Sequence, residues 1–270
     1  MKSSKSEVKG VYHLNLLKEN IARDIFLVGD QGRVSEISNR FDSIEFKISN
    51  REFTTHTGYI GNKRVSALST GIGTDNIDIV LNELDSIVSE NESLNLIRLG
   101  TSGTIQKEID INSLVVSTHG LGIDNLMHFY ANNKFDNELQ KAINEQLNWP
   151  KELSTPYIYA ADPELLSKFD GFTSGITVTA PGFYAPQGRK LRLPYAITDL
   201  HERLQSFDSN GLKITNFEME TSALYGLSKL MGHKSLTICT ILANRATGEK
   251  SNDYKSAIDN MIDTVLTKLY

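Results

Sequence analysis

Short apolar runs alternate with amphipathic stretches along most of this chain. The runs are four to nine residues long, rich in β-branched residues, and several are followed by a turn of small residues. Runs of this kind are typical of strands buried on both faces of a sheet. Strands are predicted at residues 25–29, 63–71, 94–100, 113–118, 157–160, 175–180, 213–219 and 235–243.

Between these strands, apolar residues recur at spacings of three and four, which predicts amphipathic helices. Helices are predicted at 74–88, 136–148 and 221–232, and in a last segment that places Ile258, Met261, Ile262, Val265 and Leu269 on one face. The order of elements predicts one α/β domain over residues 11–270, with a mixed, mostly parallel central sheet flanked by helices. Residues 1–10 form a polar N-terminal tail in this prediction.

Charge and composition exclude several classes of partner. The formal net charge of −5 argues against nucleic acid or an anionic membrane as a partner. The start of the chain lacks the apolar core of a signal peptide, and no apolar run approaches the roughly 18 residues of a membrane span. Cys239 is the single cysteine, so no disulfide forms within the chain. We therefore expect a cytoplasmic protein without a membrane or nucleic-acid partner.

Turns rich in glycine follow three of the predicted strands, at 29–33, 70–74 and 98–104. Ligands of α/β proteins bind at the carboxyl ends of strands, and such turns expose backbone N–H groups that can hold an anion. The alternative is that the glycines only make tight turns. The stretch GIGTDN lacks the third glycine of a dinucleotide loop, and GxxxxGK[ST] is absent from the sequence.

Arg98 interrupts the apolar run LNLIRLG just before Gly100. A buried guanidinium requires an anion. That anion is either a carboxylate of the core or a ligand such as phosphate, which arginine binds well. Arg33 and Arg51 are further candidates for the same ligand.

The loop GFYAPQGRKLRL offers a different chemistry. Phe183 supplies a flat apolar surface, while Gln187 and Arg189 supply hydrogen-bonding groups that match the edge of a planar base carrying carbonyls and an N–H. The alternative is an ordinary surface loop. In NFEMETSAL, Glu218 and Glu220 come just before an apolar helix, and we expect Glu218 to cap or brace it.

Sequence motifs for a metal or a covalent nucleophile are missing. The chain has no HExxH, CxxC or GxSxG, and its six histidines are scattered. We therefore expect no metal and no organic cofactor.

Together these segments resemble the uridine phosphorylase branch of the nucleoside phosphorylase family. The resemblance runs from VYHLNL (11–16) to LANRATGE (242–249) and is weakest over 121–170. The segments that carry it are FLVGDQGRV, NREFTTHTG, STGIG, IRLGTSG, FYAPQGR and NFEMETSAL.

The resemblance implies a set of site residues. A phosphate site would consist of Gly29, Arg33, Arg51, Arg98 and Thr101. A nucleoside site would consist of His13, Thr101, Phe183, Gln187, Arg189, Met219, Glu220 and Arg245. In the family the residues matching His13 and Arg51 reach across from a neighbouring subunit, which implies a homo-oligomer, either a dimer or a trimer of dimers.

The implied reaction is the reversible phosphorolysis of a pyrimidine nucleoside, with inorganic phosphate as co-substrate and an oxocarbenium-like transition state. The catalytic residues would be Arg98, Glu220, Gln187 and Arg189. Purine-cleaving relatives carry an aspartate where this chain reads Ala243-Asn244-Arg245, so the resemblance favours a pyrimidine. A monovalent cation near Glu52, Ile72 and Asn76 is left open, because the neighbouring Thr74-Asp75-Asn76 departs from the family pattern.

Other functions stay open on the sequence alone. The chain could prefer deoxyuridine, thymidine or a purine nucleoside, or be a nucleosidase that uses water. A nucleosidase would have no use for three phosphate-binding arginines. A nucleoside-binding protein without turnover is a further alternative, since a fold does not guarantee an activity.

Overall fold

The computed structural model describes residues 10–131 and 137–270. The predicted polar tail therefore lies outside the described residues except for Gly10. The strands are β1 (Asp24–Val28), β2 (Ser43–Asn50), β3 (Phe53–Ile60), β4 (Lys63–Ser69), β5 (Asn95–Thr104), β6 (Leu114–Gly122), β7 (Tyr157–Ala160), β8 (Thr173–Thr179), β9 (Asp208–Ser209), β10 (Leu212–Glu218) and β11 (Lys234–Asn244).

The helices are α1 (Gln31–Ser38), α2 (Thr74–Ile87), α3 (Asn137–Leu147), α4 (Pro163–Ser167), α5 (Leu200–Ser206), α6 (Thr221–Met231) and α7 (Tyr254–Leu269). Short 3-10 turns lie at Lys18–Asn20, Leu126–Phe129 and Ala185–Gln187. The predicted helix at 136–148 corresponds to α3, and Asp136 lies outside the described residues.

The strands form one mixed sheet in the order β2-β3-β4-β1-β5-β11-β6-β8-β10-β9, with β7 on β6. Pairing is parallel along β4-β1-β5-β11 and along β6-β8-β10. It is antiparallel between β11 and β6, in the hairpins of β2, β3 and β4, and where β7 and β9 join. The predicted α/β fold with a mixed central sheet between helices is confirmed.

Strand β10 also pairs antiparallel with β5, through Phe217 opposite Gly103 and Asn216 opposite Thr104. Strands β5, β11, β6, β8 and β10 therefore close on themselves as a small barrel. This closure brings the carboxyl end of β10 beside the second half of β5.

Helix α6 is buried through most of its length and packs on α2 and on strands β6 and β11. Its buried side chains, together with those of α2 and α7, form the main hydrophobic core against the sheet. The apolar face of α2 is the one that the sequence predicts, with Ile77, Val80, Leu81 and Leu84 buried. Within the described ranges, none of the helices is both long enough and apolar enough to cross a membrane.

The sequence did not predict β2 and β3. Every residue of β2 is exposed or only partly buried, although Ile44, Phe46 and Ile48 alternate with polar residues as they do in a half-buried strand. Strand β3 is buried but rich in threonine and carries His56. The two strands are joined by a turn in which Arg51 has a positive φ of 53°.

Candidate active site

A cavity of about 960 Å³ lies where β1, β4, β5, β10 and β11 present their carboxyl-terminal halves. This is the edge at which α/β sheets bind ligands. The predicted site residues that line it are Gly29, Arg33, Arg98, Thr101, Phe183, Gln187, Arg189, Met219 and Glu220.

One end of the cavity contains a buried charge cluster built on Arg98. The guanidinium is buried in β5; its Nη2 donates to Glu220, and its Nη1 lies 3.3 Å from Oε2 of Glu218. The three residues are only 3–4% exposed. The internal carboxylates that the sequence left as an alternative partner for Arg98 are therefore present, and the same guanidinium also faces the cavity.

The cluster is held by backbone groups on both sides. Glu218 accepts the N–H of Glu220 at 2.9 Å, the N–H of Thr221 at 3.0 Å and the hydroxyl of Thr179 at 2.7 Å. The prediction that Glu218 caps the following helix is confirmed. Glu220 in turn accepts the N–H of Gly73 at 2.8 Å, which ties it to the glycine turn after β4.

Burial and neighbouring charges shift the pKa of Arg98 in opposite directions. Burial alone would lower the pKa of its guanidinium, but the carboxylates of Glu220 and Glu218 offset this, and the pKa lies above its ordinary value. For Glu220, burial raises the pKa of the carboxyl group and Arg98 opposes that shift. Arg98 is therefore a permanent cation at the inner end of the cavity.

A second guanidinium, Arg33, comes from the first turn of α1. Asp30 caps this helix by accepting the N–H of Gly32 at 2.9 Å. Burial first, and then the charge of Arg98, lower the pKa of Arg33. Two cations beside a glycine turn and a helix N-terminus form a region of positive potential suited to an anion.

The other end of the cavity is organised around Gln187, which is 2% exposed. Its Oε1 accepts from Nη1 of Arg189 at 2.5 Å and from Nη2 of Arg245 at 2.7 Å. Nη1 of Arg245 also donates to the backbone carbonyl of Gln187 at 2.5 Å. With its oxygen engaged twice, the side chain has its Nε2 left to donate to a ligand.

Aromatic rings complete this end. The guanidinium of Arg189 lies 3.7 Å from the centroid of Phe183 and donates to that residue's carbonyl. The guanidinium of Arg245 lies 4.9 Å from the centroid of Phe217. Burial, and then the charge of Arg189, lower the pKa of Arg245 to about 9.

Three predicted site residues do not line the cavity. Arg245 lies behind the cavity wall and donates to Gln187, which does line the cavity. His13 contacts Glu83, with Nδ1 2.6 Å from Oε1. Arg51 is exposed and donates to the hydroxyl of Tyr12 at 3.1 Å, while Asn50 donates to the carbonyl of His13 at 2.8 Å. His13 and Arg51 are thus neighbours on the surface beside the cavity.

Most of the chain matches a known family. The sequence pattern of the phosphorylase superfamily matches residues 23–268. The chain belongs to the phosphorylase superfamily.

Individual relatives in this superfamily resemble most of the chain. A uridine phosphorylase of Thermococcus kodakarensis is 29% identical over 249 residues, which are 92% of this chain and 83% of that protein. A uridine phosphorylase of Haemophilus influenzae is 26% identical over 96% of this chain and 97% of its own. Relatives described as DeoD-type purine nucleoside phosphorylases also match, for example one from Bacillus velezensis at 27% identity over 88% of this chain and 90% of its own.

A solved structure of a nucleoside phosphorylase has the same fold as this chain. The crystal structure of a Trypanosoma brucei nucleoside phosphorylase, whose description states uridine phosphorylase activity, has a TM-score of 0.88 and 27% identity. The match covers 97% of this chain and 98% of that one.

Several residues that line this superfamily site were missed from the sequence. Phe217 is the clearest, and its proximity to Glu218 was the available signal. Leu242 is another. Asp30, Gln31, Gly71, Ser102 and Gly103 also line the cavity; they lie in the predicted glycine turns but had been given no individual role. Over residues 10–131 and 137–270, no three His, Cys, Asp or Glu side chains are grouped so as to hold a metal ion.

Proposed function

We propose that this chain catalyses the reversible phosphorolysis of uridine to uracil and ribose 1-phosphate. The observation that carries the proposal is that one cavity joins two chemistries. A cationic end contains Arg33 and Arg98, and the other end contains Gln187 held by Arg189 and Arg245. The uridine phosphorylases among the relatives and the Trypanosoma brucei enzyme support it.

Phosphate would bind at the cationic end. Arg33 and Arg98 supply charge, and Gly29 and Thr101 supply groups on the glycine turns of the same cavity wall. Arginine suits this role because its planar fork donates two parallel hydrogen bonds to phosphate. A nucleosidase has no phosphate for these two cations to bind.

Uracil would bind between Phe183 and the Gln187 loop. The base has two carbonyl acceptors, and the donors at this end are Nε2 of Gln187 and the remaining N–H groups of Arg189. The stretch Ala243-Asn244-Arg245 stands where the purine-cleaving branch of the family would have an acid. The pocket therefore has donors for carbonyl oxygens and lacks that proton donor.

Ribose would lie between the two ends, over Met219 and beside Glu220. The carboxylate of Glu220 already accepts from Arg98 and Gly73, yet a carboxylate has about four acceptor positions. It can therefore accept hydrogen bonds from ribose hydroxyls as well.

The reaction then follows from these positions. An oxygen of phosphate attacks C1′ as the bond from C1′ to N1 of uracil breaks, and the bonding pair leaves on N1 and spreads to the carbonyl oxygens. Cationic charge on C1′ in the transition state is stabilised by phosphate and by Glu220. Charge on the leaving base is stabilised by Gln187 and Arg189. Binding both substrates in one cavity removes much of the entropic barrier.

The positions of His13 and Arg51 bear on the oligomeric state. His13 and Arg51 are adjacent on the surface and outside the cavity of their own protomer. We propose that they complete the site of a neighbouring subunit in a dimer or a trimer of dimers. A cytoplasmic location, the absence of a cofactor and a monovalent cation near Glu52 stay predictions.

The test is ultraviolet detection of free base from uridine, with and without phosphate, and with inosine in parallel. Phosphate-dependent release of uracil, with inosine uncleaved, is the expected result. Release without phosphate would make the enzyme a nucleosidase, and cleavage of inosine alone would overturn the assignment of the base. Cleavage of neither nucleoside would leave binding without turnover as the function.

A further inference from the structure

His201, the second residue of α5, lies directly behind the base end of the cavity. Its ring stacks on Phe217 with centroids 5.1 Å apart and planes 10° apart. Phe217 itself lines the cavity. The histidine has no place in the predicted site and does not line the cavity itself.

The ring also contacts the arginine that holds Gln187. Nε2 of His201 lies 3.4 Å from Nη1 of Arg245, the same nitrogen that donates to the carbonyl of Gln187. A guanidinium has only donors, so Nε2 accepts in this contact and the ring is neutral.

The ring is also packed against the backbone of the base-reading loop. Gly188 follows Gln187 with a positive φ of 64°, and a Cβ added there would lie 2.6 Å from Nε2 of His201. His201 therefore contacts both the arginine and the loop whose placement sets the position of Gln187.

The charges around the ring favour its neutral form. Burial first, then Arg245 from the end of β11 and Arg189 from the loop, lower the pKa of His201, whereas the Gln187 carbonyl and Glu202 of the same helix oppose them. From β10, uncharged Phe217 stacks on the ring. On the side of α3, Arg203 of α5 donates to the carbonyls of Leu147 and Asn148.

We propose that neutral His201 is a positioning residue that holds Arg245 and Gln187 in their base-reading arrangement, and that its protonation weakens the binding of uridine. This inference rests on the proposed function. A protonated Nε2 turns a donor towards Arg245, so the contact of 3.4 Å becomes a repulsion. The new N–H can bond to the Gln187 carbonyl instead, which is the acceptor that Arg245 uses.

Protons can reach the ring without opening the main cavity. A separate cavity of about 230 Å³ is lined by His201 together with Tyr195, Thr198 and Glu202. The ring thus separates a small outer cavity from the base end of the large one.

The experiment measures the KM of each substrate from about pH 8 down to the lowest pH at which the enzyme stays folded, because burial and the two arginines lower the pKa of His201 below that of an ordinary histidine. It compares the wild type with His201→Gln, which keeps an acceptor but does not titrate. NMR follows the ring of His201 in the wild type. As pH falls through the His201 transition, we expect the wild-type KM for uridine to rise about tenfold, the effect of losing one hydrogen bond to a charged group. In His201→Gln this rise should be absent.

Two further variants separate positioning from folding. His201→Phe keeps the stack on Phe217 but loses the acceptor, so its KM for uridine should be raised at every pH while its KM for phosphate follows the wild type. His233→Gln removes another buried histidine, one that does not line the cavity, and should keep the wild-type profile.

The inference is overturned if the wild type and His201→Gln show the same change in uridine KM with pH. It is also overturned if His201→Phe binds uridine as well as the wild type. Failure of the proposed function looks different, since the wild type would then release no uracil at any pH, and the inference would fall with it.

Discussion

Replacing Arg98 with methionine tests the buried charge cluster. Methionine replaces the aliphatic stem of arginine and carries no charge, so Glu218 and Glu220 would be left without a cation. Both carboxylates are at most 4% exposed. Removing one partner of a buried ion pair costs about 3–5 kcal/mol, and we expect Arg98→Met to lower the free energy of unfolding by that amount.

A second substitution, Glu220→Gln, should restore part of the lost free energy of unfolding. In Arg98→Met with Glu220→Gln, the number of unpaired buried carboxylates falls from two to one. Residues in direct contact are coupled by about 0.5–3 kcal/mol, so the double variant should be more stable than Arg98→Met alone. The matched control is Arg192→Met on the exposed loop after Arg189, which should change stability by less than about 0.5 kcal/mol.

Urea unfolding followed by circular dichroism measures these differences. With a denaturant dependence of about 3 kcal/mol per molar, the midpoint of Arg98→Met should fall by about 1 to 1.7 M. A loss below about 1 kcal/mol would refute the reasoning, because the desolvated pair would then contribute little. The reasoning would also be refuted if the double variant were no more stable than Arg98→Met alone.

Three other perturbations follow from the same structure. Arg245→Met should raise the KM for uridine about tenfold, by releasing Gln187, and leave the KM for phosphate unchanged; an equal change in both would contradict this role. Burial raises the pKa of Cys239 to about 12, so a thiol reagent should react only after unfolding, and rapid reaction with the folded protein would be inconsistent with it. Burial, and then Lys47, lower the pKa of His56. The unfolded chain therefore takes up the proton more readily, and stability should fall as pH drops below about 6.5, by up to about 1.4 kcal/mol per pH unit. In urea titrations at several pH values, His56→Gln should flatten this slope, and an unchanged slope would count against it.

The sequence predicted those features that depend on short-range patterns of residues. The buried strands, the apolar face of α2 and the glycine turns after β1 and β4 could be predicted, because each depends on residues within one element or one turn. Arg98 stood out for the same reason, since a charge inside an apolar run needs a partner wherever the run is buried.

What could not be predicted depends on residues far apart in the chain. The contact of Arg98 with Glu220 spans 122 positions, and that of Arg245 with Gln187 spans 58. No local pattern specifies such pairs. The role of His201 was missed for this reason. Strand β2, in contrast, carries a local signal that could have found it, since Ile44, Phe46 and Ile48 alternate with polar residues.

Closure of the barrel by β10 against β5 has a kinetic consequence. The hydrogen bond of Asn216 to Ser102 joins residues 114 positions apart. A chain must lose the entropy of closing such a loop before these contacts stabilise it, which makes high contact order a cause of slow folding. Arg98 meets Glu218 and Glu220 only once this closure is made. Partly folded chains therefore lack the anion-binding end, and a ligand that binds there adds its binding free energy to the stability of the completed fold alone.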